Sequence, residues 1–222
     1  LQWASAYPKR AFACVTVAAA ARQSVHNIAM SELGRQAIMA DPDWRGGAYL
    51  SQGTRPVKGG AVARAAAHMA GRATPEVRAR FEDARRQQRF ALASDASTDG
   101  PRQGAVFVER FDANSFLYVS RAMDGFDLAA DFGGRLANAF QGSATRHGVF
   151  AFSSDWRYPP EETRIVARAL MAAGVDAAYV EIETDKGHEA YKSEEPAFET
   201  ALTGFIDAAA AARGLALHGS ES

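Results

Sequence analysis

The stretch from Phe150 to Tyr191 constrains the fold most, because it sets two short β-rich runs on either side of one run of helical length. Val149, Phe150, Ala151 and Phe152 form an apolar run that stops at Ser153-Ser154-Asp155. Residues Ala177 to Glu183 alternate in character and give way to Thr184-Asp185-Lys186-Gly187-His188-Glu189. Between them, Pro159-Pro160 opens a helix over Glu161–Ala173, and Gly174 supplies the left-handed residue that ends it. Strand, helix, strand at this length calls for a parallel pair joined by a right-handed crossover. Asp155 then leaves one strand end and His188 follows the next, which is how a doubly wound α/β enzyme supplies the acid and the histidine of a nucleophile–acid–histidine triad.

The remaining chain is read around this unit. Leu1 to Tyr7 looks like the tail of a helix ending before Pro8. Ala11–Ala21 suits a strand buried on both faces, although its alanines would equally suit a helix. From Gln23 to Ala40, Val25, Ile28, Ala29, Leu33, Ala37 and Ile38 form a helical stripe that Asp41-Pro42 and Gly46-Gly47 stop. Ala61–Ala70 is alanine-rich, with Arg64 and His68 on one helix face. Thr74-Pro75 caps a charged helix through Phe90, and 91–104 reads as loop. Phe107–Arg121 and then Met123–Leu128 read as helical, and His147 as a loop residue before the strand that starts at Val149. The expected organisation is a sheet part over 1–22 and 146–222, with a helical insertion over 23–145.

Composition limits the function classes. The 222 residues are 47% hydrophobic and 23% charged, enough for one core with an elaboration. With 25 Lys and Arg against 26 Asp and Glu, the net charge of -1 gives no global field for nucleic acid or an anionic membrane. Arg85, Arg86 and Arg89 have acidic neighbours and read as a solvated helix face. Cys14 is the single cysteine, which excludes an internal disulfide; it reads as a buried, inert thiol and fits a reducing cytoplasm. No apolar run reaches the length of a membrane span, no secretory leader is visible, and no spacing suggests a metal site.

Several strings resemble a known family: Gly34 through Gly47, Arg110 through Tyr118, Arg121 through Leu128, Phe152 through Pro160, and Gly187-His188-Glu189-Ala190. They look like homoserine O-acetyltransferases of the α/β-hydrolase superfamily, and the resemblance covers nearly the whole chain. It implies an α/β-hydrolase fold, here the C-terminal part of the parallel sheet, with a mostly helical lid. It also implies an acetyl group moving from acetyl-CoA to a serine and then to the hydroxyl of L-homoserine, in methionine biosynthesis and with no bound cofactor. A homodimer formed through the lid helices is expected with it.

By motif, Asp155 and His188 match the family's catalytic acid and base, and Arg64 matches a lid arginine that contacts the homoserine carboxylate. Glu189 stands where the family usually has an aspartate that helps hold the substrate amine. Met69-Ala70-Gly71 stands where the family tends to have an Ile-Thr-Tyr run. No Gly-x-Ser-x-Gly occurs among these residues, and the family's lies just before the segment matching Leu1. The resemblance therefore implies a C-terminal fragment that lacks the nucleophile, expected to be inactive alone. A serine or homoserine O-succinyltransferase, and a non-catalytic helical dimerisation module, stay open as alternatives.

Overall fold

In the computed structural model, residues 1–71 and 111–215 are described, with side chains omitted at 68–71. Among them, three strands make one parallel sheet in the order β1 (Ala13–Val17), β2 (Arg146–Phe152), β3 (Ala177–Ile182). The pairing sets Val17 against Phe150 on one side of β2 and Phe152 against Ile182 on the other. β2 is the central strand and is buried from His147 to Phe152, as a strand covered on both faces must be.

α1 (Gln2–Ala6) opens the chain, and two longer helices pack on this sheet. α5 (Pro160–Ala172) begins at a proline with Glu161 and Glu162 in its first turn, where acidic groups suit the positive end of the helix dipole. It buries Val166, Ala167 and Leu170, and Thr163 Oγ1 donates to the Ala19 carbonyl at 3.2 Å. α6 (Pro196–Ala212) sets Phe198 edge-on to Phe150 and Phe152, with ring centroids 5.6 and 5.3 Å apart. Phe205 from the same helix packs edge-on to Phe150. A Cβ at Gly148 would lie 2.9 Å from the Phe205 ring, so this close approach of helix to strand requires glycine.

Contacts divide the chain into two units, one of residues 1–22 with 127–222 and the other of residues 23–126. The second holds α2 (Val25–Ala40), α3 (Val57–Gly71) and α4 (Ala113–Asp124). Ser24 caps α2 by accepting from Asn27 N–H. Asp41 ends α2 and serves two segments at once: its Oδ1 accepts from Asp43 N–H at 3.0 Å and its Oδ2 from Gly59 N–H at 2.8 Å. A Cβ on Gly59 would stand 2.4 Å from the Ala37 carbonyl, so α3 can cross α2 this closely only at a glycine. Buried Arg35 links α2 to α4 through Asp124 at 2.6 Å and Ser120 at 3.2 Å. Trp44 Nε1 donates to Asn114 Oδ1, whose amide in turn donates to the Gly47 carbonyl.

Three sequence expectations are corrected. The run Met123–Leu128 is not one helix: α4 stops at Asp124, Gly125 caps it, and Leu128 N–H donates to the Ala21 carbonyl beside an antiparallel bridge between Arg22 and Asp127. Residues 127–145 pack in the sheet unit, with short 3-10 turns at Ala130–Phe132 and Leu136–Phe140. Cys14 is half-buried rather than buried, because β1 flanks the described sheet instead of lying inside it. The charged helix over 74–90, the loop over 91–104, Arg85, Arg86, Arg89, the His68 side chain and His218 lie outside the described residues. Among those described, no helix is long and apolar enough to cross a membrane.

The third correction is His147, which lies within β2, not in a loop before it. Its side chain is 0% exposed, packs against the edge of Phe140, and offers two ring nitrogens with no hydrogen-bond partner among the described residues. Burial penalises the imidazolium and pushes the pKa down from 6.5 to about 4. Below pH 6.5 the unfolded chain takes up a proton that the folded chain refuses, so stability falls as pH drops from 6.5 toward 4. We expect that proton to account for about 3 kcal/mol across this window. Urea midpoints against pH check it: His147→Leu flattens the acid limb, and parallel limbs in parent and variant would rule His147 out as the group.

Candidate active site

The site is built where β2 and β3 end side by side. Past the last register pair, Phe152 with Ile182, Ser153 N–H still donates to the Ile182 carbonyl at 2.9 Å. The two departing loops are then laced together by three consecutive residues of the first. Ser153 Oγ accepts from Thr184 N–H at 3.0 Å and donates to the Thr184 carbonyl at 3.1 Å. Ser154 Oγ accepts from Gly187 N–H at 2.9 Å. Asp155 Oδ2 meets His188 Nδ1 at 2.8 Å.

The aspartate is fixed on both oxygens. Its side chain has no exposed surface, and Oδ1 accepts from the backbone N–H groups of Arg157 and Tyr158, each at 2.9 Å. A short polar side chain bonding its own backbone two residues on is a tight local turn, so the loop that carries Asp155 also holds its carboxylate. With Oδ1 occupied by two donors, Oδ2 faces Nδ1 as an acceptor, which places the imidazole proton on Nδ1 and leaves Nε2 with a free lone pair. That is the tautomer a general base needs.

His188 is the second residue of a turn that spans Gly187–Lys192. Its ring is 15% exposed and lies between two tyrosines, with Tyr158 at 5.2 Å in a tilted arrangement and Tyr191 at 6.0 Å edge-on. Thr184 Oγ1 donates to Glu195 Oε2 at 2.7 Å, and Lys186 Nζ is 3.2 Å from the same oxygen and also donates to the Glu194 carbonyl. The Thr184 hydrogen bond, with Lys186, holds the Glu195 carboxyl below its usual range. The histidine loop is thereby tied at its base to the start of α6.

Of the residues singled out from sequence, the fold brings Asp155 and His188 into contact and places Glu189 one residue along in the same turn. Glu189 Oε1 accepts from Lys192 Nζ at 2.9 Å, a bond that raises the lysine's pKa. Arg64 lies half-buried on α3 in the other unit. Sequence reading missed the supporting roles of Ser153, Ser154, Thr184, Glu195 and the two tyrosines. A pair of hydroxyl residues directly after an apolar strand was the available signal. Among the described residues, no group of three His, Cys, Asp or Glu side chains is arranged to hold a metal ion.

No protein-family model matches the chain. It is 51% identical over 221 residues to a homoserine O-acetyltransferase of Mesorhizobium japonicum, covering 97% of this chain and 57% of that protein. It is 52% identical to one of Caulobacter vibrioides, covering 96% and 57%. The chain is a homologue of the homoserine O-acetyltransferases. It spans a little over half the length of the curated relatives it matches. Among solved structures, a homoserine O-acetyltransferase from Bacillus anthracis superposes with a TM-score of 0.75 at 20% identity, covering 90% of this chain and 55% of that one. Esterase E22 superposes at 0.76 and 19% identity, covering 92% and 57%. At such identities these likenesses speak for the fold, which is that of the α/β hydrolases.

In this homologue of the homoserine O-acetyltransferases, Gly187 sets the approach of the histidine loop, with a φ of 72° directly before His188. Only glycine adopts that region without strain. Gly187→Ala is expected to lower stability by about 1–2 kcal/mol, and Gly187→Asn, which tolerates the region better, by less. Denaturant midpoints of the three chains check the order, and an alanine variant as stable as the parent would contradict it.

Proposed function

We propose that this chain supplies the acid and base of a homoserine O-acetyltransferase. The observation that carries the reading is the 2.8 Å contact of His188 Nδ1 with Asp155 Oδ2, in a chain about half identical to curated enzymes of that name. The acyl carrier is a serine contributed from outside these 222 residues, since they contain no Gly-x-Ser-x-Gly.

His188 Nε2 takes the proton of that serine as its oxygen attacks the thioester carbon of acetyl-CoA. The C–S bond breaks, the proton passes from Nε2 to the departing thiolate, and an acetyl-serine remains. Next, Nε2 takes the proton from the hydroxyl of L-homoserine, the alkoxide oxygen attacks the acetyl carbon, and the same proton returns to the serine as the ester bond breaks. Asp155 holds the Nδ1–H tautomer and stabilises the imidazolium in each half-reaction. Arg64 binds the homoserine carboxylate, for which a guanidinium fork is suited, and Glu189 binds its ammonium group. No resident cofactor takes part. The product serves methionine biosynthesis in the cytoplasm.

Thiol release tests this with acetyl-CoA and L-homoserine on a protein that carries these residues together with the upstream serine segment. We expect turnover there, none from the 222 residues alone, and a loss of about 10³–10⁴-fold in kcat for His188→Ala or Asp155→Asn. Preference for succinyl-CoA or for serine as acceptor would replace the substrate assignment. Full activity in either variant would remove the catalytic one.

The partner is a second copy of the same chain, joined through the helical unit. On α4, Tyr118 and Val119 are 78% and 58% exposed beside Met123, and α2 exposes Val25 and Leu33, apolar surface that an isolated domain seldom leaves in water. Sedimentation is expected to show a dimer that dissociates when Tyr118 and Val119 are both changed to glutamate. A parent that sediments as a monomer would refute the assembly.

A further inference from the structure

Gly187 N–H stands at the start of the Gly187–Lys192 turn, where a backbone donor has no partner within the turn, and Gly187 is buried. Its acceptor is Ser154 Oγ at 2.9 Å. Ser154 is the residue before the acid, and Gly187 the residue before the base. The histidine is therefore held from one loop at two points: its ring through Asp155, and the backbone immediately preceding it through Ser154. Asp155 is itself immobilised by the Arg157 and Tyr158 N–H groups, so the serine side chain shares a rigid support with the acid.

We propose that Ser154 is a positioning residue for His188, acting through Gly187 to keep Nδ1 on Asp155. The proposal rests on His188 being the base of acyl transfer, but its physical content, the persistence of one imidazole–carboxylate contact, can be read without any reaction. Removing the hydroxyl leaves a buried N–H with no acceptor, and the turn relieves that by shifting toward water. His188 moves with it. The glycine's left-handed conformation adds to the effect, because a residue free of side-chain packing is restrained mainly by its hydrogen bond.

The low-field proton NMR signal of the His188–Asp155 hydrogen bond tests it in the chain with no substrate present. In Ser154→Ala we expect exchange of that proton with water to accelerate by about tenfold or more, while Ser154→Thr, which retains an acceptor, keeps the parent rate. In the longer protein carrying the upstream serine, Ser154→Ala is expected to lower kcat by about 10–100-fold with KM changed by less than about 3-fold. If the alanine chain does not fold, Ser154→Cys, close in shape and a weak acceptor, takes its place. Parent-like exchange in a folded Ser154→Ala or Ser154→Cys chain overturns the proposal, as does a lowered melting temperature with unchanged kcat. A changed exchange rate in a protein without transferase activity would keep the positioning role and reject the proposed reaction, so the two fail separately.

Discussion

The parallel pairing of β2 with β3 is the constraint on which the candidate site depends. Register sets Phe152 opposite Ile182, and neighbouring strands stand about 4.8 Å apart, so two loops begin at nearly one point and run the same way. A slip of one residue would turn each side chain of one strand to the other face and carry its loop with it. Three rungs then extend the ladder beyond the sheet, from Ser153 with Thr184 to Ser154 with Gly187 to Asp155 with His188. The first two are hydroxyl–backbone contacts and the third is imidazole to carboxylate, so the site continues the strand pairing with side chains taking over from amides.

Much of this was legible because its physics is local. An apolar run ending at Ser-Ser-Asp, a proline-initiated helix ended by glycine, and an alternating run before a histidine each carry their own signal. His147 was missed because periodicity weighs a histidine as polar, while its burial is decided by Phe140 and by its central place in the sheet. Met123–Leu128 misled for the opposite reason. Its composition suits a helix, but the Leu128 N–H is taken by the Ala21 carbonyl, a contact between residues far apart in the chain. Long-range hydrogen bonds overrule local propensity, and nothing in a single window announces them.

The strings that made the resemblance specific divide by role. Those in the helical unit are mostly joinery: Gly34 lets Phe116 approach, Arg35 reaches Asp124 and Ser120, and Trp44 and Gly47 both bond Asn114. Arg45, with a φ of 53° in a non-glycine residue, belongs to the tight turn that this joinery imposes. Residues of this kind are costly to change because each serves two elements, so they mark a shared scaffold whether or not they touch a substrate. The strings around Asp155 and His188 build the candidate site instead, and there the supporting contacts are with loop backbone rather than between helices.

An imidazole with a free Nε2 does not choose its acceptor. It deprotonates water as readily as an alcohol. Transfer rather than hydrolysis requires that the alcohol be held where water would otherwise attack, and a bound amino acid is held by its charges. Glu189, proposed above to take the ammonium group, is already paired with Lys192. Under that proposal an incoming ammonium either shares the carboxylate or displaces the lysine, whose pKa the Glu189 hydrogen bond raises. In the proposed reaction the strength of one exposed ion pair, modest in water, would thus enter directly into the affinity for the acceptor.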